Sequence, residues 1–312
     1  MPASVVQLPA QALWLRSSAA PCGAVIVKVT AFAQVLETRV AAGDLDVPVL
    51  PEAAREVMDA CKREDCDMRE LAAIVRRDPA LAAHFLRLAN SSVFGARTAI
   101  VSLPQALARL GVSQTRQIAL LVACQARAFA CKTRKTAAQN LRRHSVATSM
   151  WAQEIARLRR LNVEEAFLSG LLGDVGMPAL WQLADDIEND SAIANDAAAV
   201  DADVARLHDH VGADIARRWG LPDRTVDTIR KHHSVLPEGT VVATGAGASV
   251  DATIVAVQLA NTLARATLAD EAITQQMIQV HPSALALSLY AEEIDLLLAR
   301  TPSVRDAIRA LV

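Results

Sequence analysis

The sequence predicts an all-α protein, and three observations lead to this fold class. Alanine and leucine, two strong helix formers, recur throughout the 312 residues. Apolar residues return at helical spacing in one segment after another, with start and stop residues between the segments. The chain is 52% hydrophobic, but only 3% of its residues are aromatic. Its length is sufficient for a sizeable core and two subdomains.

Charge and composition exclude several classes of partner and location. The net charge of -2 gives no electrostatic reason to expect nucleic acid or an anionic membrane as a partner. No apolar run reaches the roughly 18 residues of a membrane-spanning helix, and the start does not resemble a signal peptide. The five cysteines are odd in number and lack zinc spacing, so we expect reduced thiols in a cytoplasmic protein.

The first 135 residues begin irregularly and then turn helical. AVIVKV predicts a short strand, TAFAQVLETRVAAG a short helix that ends at Gly43, and LDVPVLP an extended connection. Helices follow in PEAAREVMDACKRE, in DMRELAAIVRRD with Asp67 as N-cap, and in DPALAAHFLRLANS with Asp78 as N-cap. The pattern breaks in VFGARTAIV, and SLPQALARLG predicts a helix from Ser102 to Gly111. QTRQIALLVACQARAF predicts a buried helix.

A second helical block begins near Thr136. LRRHSVATSMWAQEIARLRRL and NVEEAFLSGLLGDVGMPALW each predict a helix, and DDIENDSAIANDAAAVDAD predicts an exposed loop or a short helix. VARLHDHVGADIARRWGLP predicts a helix stopped by Gly220, and DRTVDTIRKHHS the next one. LPEGTVVATGAGAS has the composition of a loop, and two or three final helices begin at about Asp251.

Polar residues interrupt the apolar faces of these helices. Asp174 would share a helical face with Phe167 and Leu171, and a buried carboxylate must be paired, hydrogen-bonded or metal-bound. His144 and Asn261 lie on inward stripes of their own helices in the same way. Each alone is compatible with a purely structural role, such as a helix-capping aspartate or a satisfied core histidine.

Three more histidines complete a series of polar residues along the chain. His210 has Asp214 one turn later, and His232 and His233 are adjacent at a helix end. Adjacent residues on a helix point in different directions, so we expect at most one of that pair to face a given site. Helices that bring such residues inward build a polar centre, which is a common way to make a metal site in a helical bundle.

The order of these residues resembles the HD superfamily of metal-dependent phosphohydrolases. In that superfamily a His, an adjacent His-Asp pair and a later Asp hold one or two metal ions. RRHS, GLLGDVG and VQLAN match this pattern in spacing and setting. HVGADIARRWGLP followed by IRKHH resembles the HD-GYP cyclic-di-GMP phosphodiesterases.

The N-terminal block is similar to one relative in particular. VPVLPEAAREVMD, DPALAAHFLRLANSSVFG and IVSLPQALARLGVSQTRQIAL resemble the start of the HDOD domain of bacterial signalling proteins. This resemblance implies a helical bundle of HD-superfamily type with an N-terminal helical subdomain. It divides the chain into an extension (1–40), an HDOD domain (41–265, with subdomains 41–135 and 136–265) and C-terminal helices (266–312).

The sequence departs from the catalytic pattern at two positions. The resemblance calls for His at Gly173 and for Asp at Asn261, so His144 and Asp174 alone remain of the minimal set. Glycine offers no ligand, and an amide is a poorer ligand for a hard cation than a carboxylate. A degenerate site therefore comprises seven positions, and we expect from it no catalytic residue, bound metal or cofactor: His144, Gly173, Asp174, His210, His232, His233 and Asn261.

The resemblance favours a non-catalytic signal-transduction module that acts through contacts with unidentified signalling proteins. One alternative is a residual metal-dependent phosphohydrolase. Another is a sensor that binds a cyclic dinucleotide without chemistry, for which Arg142, Arg143 and Lys231 are candidate phosphate contacts, although a solvated charged face explains them as well.

Overall fold

The computed structural model describes residues 31–45, 52–61, 63, 65–91, 100–127, 134–190, 197–237, 240, 242, 250–269 and 273–311. Within these ranges the chain forms α-helices and no β-strand, which confirms the all-α prediction. The predicted strand AVIVKV and the break in VFGARTAIV lie outside the described residues. Most of LDVPVLP and LPEGTVVATGAGAS also lies outside them.

The helices are α1 (Ala31–Ala41), α2 (Glu52–Ala60), α3 (Met68–Arg76), α4 (Pro79–Ala89), α5 (Leu103–Arg127), α6 (Lys135–Leu158), α7 (Val163–Leu172), α8 (Gly176–Asp190), α9 (Ala197–Arg218), α10 (Asp223–Lys231), α11 (Ala252–Leu268), α12 (Gln275–Gln279), α13 (Pro282–Ala286), α14 (Ala291–Leu298) and α15 (Thr301–Leu311).

Helices α2, α3 and α4 pack against α5 and form the N-terminal half of the core. The predicted caps are present, since Asp67 accepts a hydrogen bond from the amide of Arg69 at 2.8 Å and Asp78 from the amide of Leu81 at 3.0 Å. Gly111 has a φ of 77°, which breaks the helical path within α5. The predicted helix end at Gly111 therefore coincides with this break, and the chain returns to helix directly after it.

Helix α6 is the centre of the second half, where it packs against α7, α11 and α15. Trp151 on α6 is among the largest fully buried side chains of the described residues. Its indole Nε1–H donates to Thr267 Oγ1 on α11 at 3.0 Å, so the polar edge of the ring is satisfied inside the core. Helices α8, α9 and α10 follow as a sequentially packed layer, and α1 lies against α8 and α9.

Three predicted elements differ from the structure. NVEEAFLSGLLGDVGMPALW is not one helix, because α7 ends at Leu172 and α8 begins at Gly176, which leaves Asp174 in the turn between them. The segment predicted as a loop or short helix is largely the end of α8 and the start of α9. Within the residues described after Asp251 there are five helices rather than two or three, because α12 and α13 are five residues each and too short to show a period.

The C-terminal helices pack onto the body of the protein. Helix α15 lies against α6 and α4, α14 against α6, and α13 against α11. Arg159 at the end of α6 donates to Glu293 of α14 at 3.0 Å. Across the described part of the chain, no helix combines the length and apolar character needed to cross a membrane.

Candidate metal centre

Four side chains from three places in the fold meet at one point. Asp174 lies in the α7–α8 turn, His208 on α9, and His232 and His233 at the C-terminal end of α10. Each offers one donor atom, and the four atoms lie within 4.8 Å of one another. His208 and His232 are buried, whereas Asp174 and His233 are partly buried. Both members of the adjacent histidine pair therefore face this point, and the expectation that only one would do so is wrong.

Two glycines allow the α7–α8 turn to approach α9 this closely. A Cβ atom on Gly176 would lie 2.1 Å from the carbonyl oxygen of His208 and 2.7 Å from the amide nitrogen of Gly212. Real carbon atoms do not approach backbone atoms so closely, so the first residue of α8 must be glycine. This backbone contact fixes Asp174, two residues earlier, beside His208.

The helix backbone sets the orientation of two of the imidazoles. His208 Nδ1 lies 2.7 Å from the carbonyl oxygen of Ala205, and His232 Nδ1 lies 2.6 Å from that of Ile229. A carbonyl only accepts, so both Nδ1 atoms carry hydrogen and both Nε2 atoms of the neutral rings present a lone pair. These Nε2 atoms lie 3.3 and 3.4 Å from Asp174 Oδ1. A lone pair facing a carboxylate is repulsive, so the arrangement requires a proton or a metal cation between them.

The pKa values reflect the charge of this cluster. Burial raises the pKa of Asp174, but its interactions with His208, His232 and His233 outweigh burial and hold it well below its usual range. Burial lowers the pKa of His208, yet the neighbouring carboxylate raises it more, so the net shift is upward. Burial lowers the pKa of His233 to about 4. Asp174 is therefore a carboxylate at neutral pH, and the His208 imidazole holds a proton more readily than an ordinary histidine does.

The other half of the predicted site is arranged differently. His144 Nε2 lies 2.8 Å from Asn261 Oδ1 and 3.7 Å from Asp174 Oδ2. Because the amide oxygen only accepts, His144 Nε2 carries the hydrogen and has no lone pair free for a metal. Gly173 has ordinary right-handed helical angles, and a Cβ there would lie 3.4 Å from the ring of His232.

His210 belongs to the predicted set but lies outside the cluster, and His208, which was not predicted, lies in it. His210 is exposed on α9, whereas His208 is 4% exposed and contacts the carboxylate. The sequence contained the signal, since Val204, His208, Val211 and Ile215 follow helical spacing and the three aliphatic residues are fully buried. The short distance in sequence from His210 to Asp214 suggested the wrong histidine.

The four gathered donors fit one divalent cation. Three imidazole nitrogens and one carboxylate oxygen suit a first-row metal such as zinc, iron or manganese. His208 Nε2 is buried and has no hydrogen-bond partner of normal geometry among the described residues, which is what an unfilled ligand atom would show. The sequence-based expectation of no bound metal rested on the missing ligands at Gly173 and Asn261, and the donor set that includes His208 gives a reason to propose a metal.

The C-terminal segment closes the far side of this region through His281. Its Nδ1 accepts the amide hydrogen of Ser283 at 3.2 Å, so Nε2 carries the hydrogen of the neutral ring. Nε2 lies 3.1 Å from Thr262 Oγ1 on α11. Burial lowers the pKa of His281 to about 4. The neutral ring therefore joins the C-terminal helices to α11.

Acidification is expected to weaken the fold through His281. An unfolded chain takes up a proton at the ordinary histidine value of 6.5, whereas the folded chain resists until about pH 4. The stability that the neutral His281 ring contributes to the fold is fully present above pH 6.5 and is lost as the pH falls toward 4. The loss amounts to about 2 kcal/mol at pH 5. Urea unfolding at pH 7 and pH 5 measures it. His281→Gln should lose less stability between the two pH values than the wild type; equal losses would contradict the assignment.

Comparisons with known proteins agree with this architecture. The family model described as HDOD domain matches residues 47–235. An HDOD domain protein of unknown function from Geobacter sulfurreducens has a similar solved structure, with a TM-score of 0.62 and 22% identity over 89% of this chain and 97% of that one. At that identity the likeness shows the fold alone.

Two curated relatives are similar over shorter stretches. An uncharacterized protein of Treponema pallidum is 24% identical over 200 residues, which are 61% of this chain and 38% of the relative. Ribonuclease Y of Pseudothermotoga lettingae is 30% identical over 116 residues, which are 36% of this chain and 19% of the ribonuclease. The chain thus spans well under half the length of either relative.

Proposed function

This chain belongs to the HDOD domain family, and we propose that it is a regulatory signal-transduction module that acts through protein contacts and does not hydrolyse phosphate esters. The observation that carries the proposal is the hydrogen bond between His144 Nε2 and Asn261 Oδ1 at 2.8 Å. These two residues occupy positions that resemble those of metal ligands in the catalytic relatives, and here they form a hydrogen bond with each other.

Hydrolysis with two metal ions requires two ligand sets. One set is depleted at three positions, since Gly173 offers no atom, Asn261 offers a neutral amide and His144 offers an N–H. The other set, made of Asp174 and its three imidazoles, is complete enough for one ion. The chain therefore resembles half of a binuclear centre, and this supports a structural or sensing role over a catalytic one.

In this proposal the four donors hold parts of the fold together. Asp174, His208, His232 and His233 join the α7–α8 turn, α9 and the end of α10. A divalent cation, when bound, supplies Lewis acidity and fixes its ligands in one arrangement. The protein's own part is to aim the imidazoles through their Nδ1 hydrogen bonds and to keep Asp174 ionised. The cytoplasmic location, the signalling partners and the absence of nucleic acid stay predictions.

A residual phosphohydrolase is the second candidate, and the intact four-donor cluster is what favours it. The test is to load the protein with manganese, iron or zinc and supply bis(4-nitrophenyl) phosphate and cyclic-di-GMP. We expect no product above that of metal in buffer alone, since one ligand set is missing. Of these two histidines, His208 lies in the cluster and His210 does not. Turnover by the wild type that persists in His210→Ala and disappears in His208→Ala would therefore overturn the regulatory proposal.

A further inference from the structure

A cavity of about 140 Å³ adjoins the four-donor cluster. It lies between the end of α10, one face of α11 and the segment that leads into α13. His232 and His233 form the wall it shares with the cluster. Its remaining polar lining comes mainly from five residues: Gln258, Thr262, Arg265, His281 and Ser283.

The walls of this cavity are held by hydrogen bonds. Gln258 Nε2 donates to the carbonyl oxygen of Ser234 at 2.9 Å, and Gln258 Oε1 lies 3.5 Å from Ser283 Oγ. The contact between His281 and Thr262 closes the opposite edge at 3.1 Å. Three separate segments are therefore tied together around the space, which favours a preformed cavity over a chance gap between helices.

The charge of the lining favours an anion. Arg265 gives the lining a positive charge, whereas His233 and His281 are neutral at pH 7 because burial lowers the pKa of each to about 4. No aspartate or glutamate is among the described residues that line the cavity. Arg265 is exposed, and no ion pair is found for it within the described ranges. Its charge is near enough to the polar centre to contribute to the lowered pKa of His144. Other arginines of this half, such as Arg224 with Asp251 at 2.7 Å, have carboxylate partners.

The size of the cavity limits what could enter. A cavity of about 150 Å³ accommodates a molecule of the size of benzene, and drug-sized ligands use about 300 Å³ or more. One tetrahedral anionic group fits this space, with the rest of the ligand outside in solvent. A whole cyclic dinucleotide does not fit inside this cavity.

We propose that this cavity binds the phosphate group of a small phosphate monoester, with the Arg265 guanidinium as its main charged contact. Guanidinium groups bind phosphate oxygens through paired charge-assisted hydrogen bonds. Thr262 and Ser283 add hydroxyl groups at the same cavity. The inference rests on the proposed function in one respect, which is that the ligand is bound and not hydrolysed.

Ligand binding here would involve the C-terminal helices. His281 and Ser283 lie beyond the residues 47–235 that the family model matches. A phosphate in the cavity touches this segment, α11 and the end of α10 at once. The site therefore connects the centre of the HDOD fold to a part of the chain outside the family match, and its occupancy is a signal that the C-terminal helices can transmit.

Isothermal titration calorimetry with inorganic phosphate and adenosine 5′-monophosphate tests the site on the full chain. We expect binding by the wild type, binding at least about tenfold weaker in Arg265→Gln, and substantial retention in Arg265→Lys, which keeps the charge. Arg217→Gln is the matched control, since Arg217 is an exposed arginine on α9 paired with Asp214 at 2.6 Å. This variant should bind like the wild type.

The outcomes separate this inference from the proposed function. Absence of heat with both probes at millimolar concentration, or equal affinities of wild type and Arg265→Gln, overturns the phosphate site and leaves the regulatory proposal standing. Release of inorganic phosphate from adenosine 5′-monophosphate by the wild type, with weaker binding in Arg265→Gln, supports the site and overturns the non-hydrolytic role. Thermal melting of each variant checks that the exposed substitutions leave the fold intact.

Discussion

Gly176→Ala is expected to destabilise the protein by about 3 kcal/mol or more, with loss of the four-donor cluster. The added Cβ would lie 2.1 Å from the carbonyl oxygen of His208 and 2.7 Å from the amide of Gly212. Both are backbone atoms, so neither can rotate away as a side-chain end would. Helices α8 and α9 must separate, and this moves His208 away from Asp174. Urea unfolding measures the change in free energy.

Gly173→Ala is the matched control, three residues earlier in the same turn. Gly173 has φ and ψ of -46° and -50°, and its added Cβ would be at an ordinary contact distance of 3.4 Å from His232. We expect a stability within about 1 kcal/mol of the wild type, since alanine is favoured over glycine in helical conformations by about that amount. Equal stabilities of the two variants would contradict the close approach of α8 to α9.

His208→Ala is expected to weaken the binding of a divalent metal by at least about tenfold, whereas His210→Ala should leave it unchanged. His208 places Nε2 3.3 Å from Asp174 Oδ1, and His210 points to solvent two residues away. Competition for zinc with a chromophoric chelator measures the affinity without reference to any enzymatic activity. The two variants remove the same side chain from the same helix, so differences in helix propensity cancel.

Two results would count against the metal centre. Loss of affinity in His210→Ala with retention in His208→Ala would restore the assignment made from the sequence. Equal zinc affinity in both variants and the wild type would mean that the cluster does not bind the ion. In that case a proton on His208 Nε2 would remain the explanation for its position 3.3 Å from Asp174 Oδ1.

Most of the helical architecture could be predicted because its signals are local. Asp67 and Asp78 cap their helices through amides two and three residues away, and Asp251 caps α11 through the amide of Thr253 at 2.8 Å. Such contacts depend on neighbours in sequence, which is where residue patterns are informative. Gly111 is predictable for the same reason, since a left-handed φ suits glycine best.

The errors concern contacts between distant segments. The turn at Asp174 lies within an apolar run that continues a helical period, and the close approach of Gly176 to α9 that accompanies it joins residues more than 30 positions apart. His208 escapes prediction for a different reason, because its buried stripe is visible in the sequence but the spacing of His210 from Asp214 is an equally visible and competing signal. The residues that carry over by resemblance, His144, Asp174, His232, His233 and Asn261, do lie together.

The Nδ1 hydrogen bonds of His208 and His232 have a consequence for how the centre responds to its surroundings. Each bond runs to a carbonyl three residues earlier on the same helix, so the direction of each ring is set locally. Exchange of a cation for a proton, either of which satisfies the lone pairs that face Asp174, would then leave the rings where they are. The two forms of the protein would differ in charge far more than in shape, and a partner able to distinguish them would have to sense the electrostatic potential at this surface.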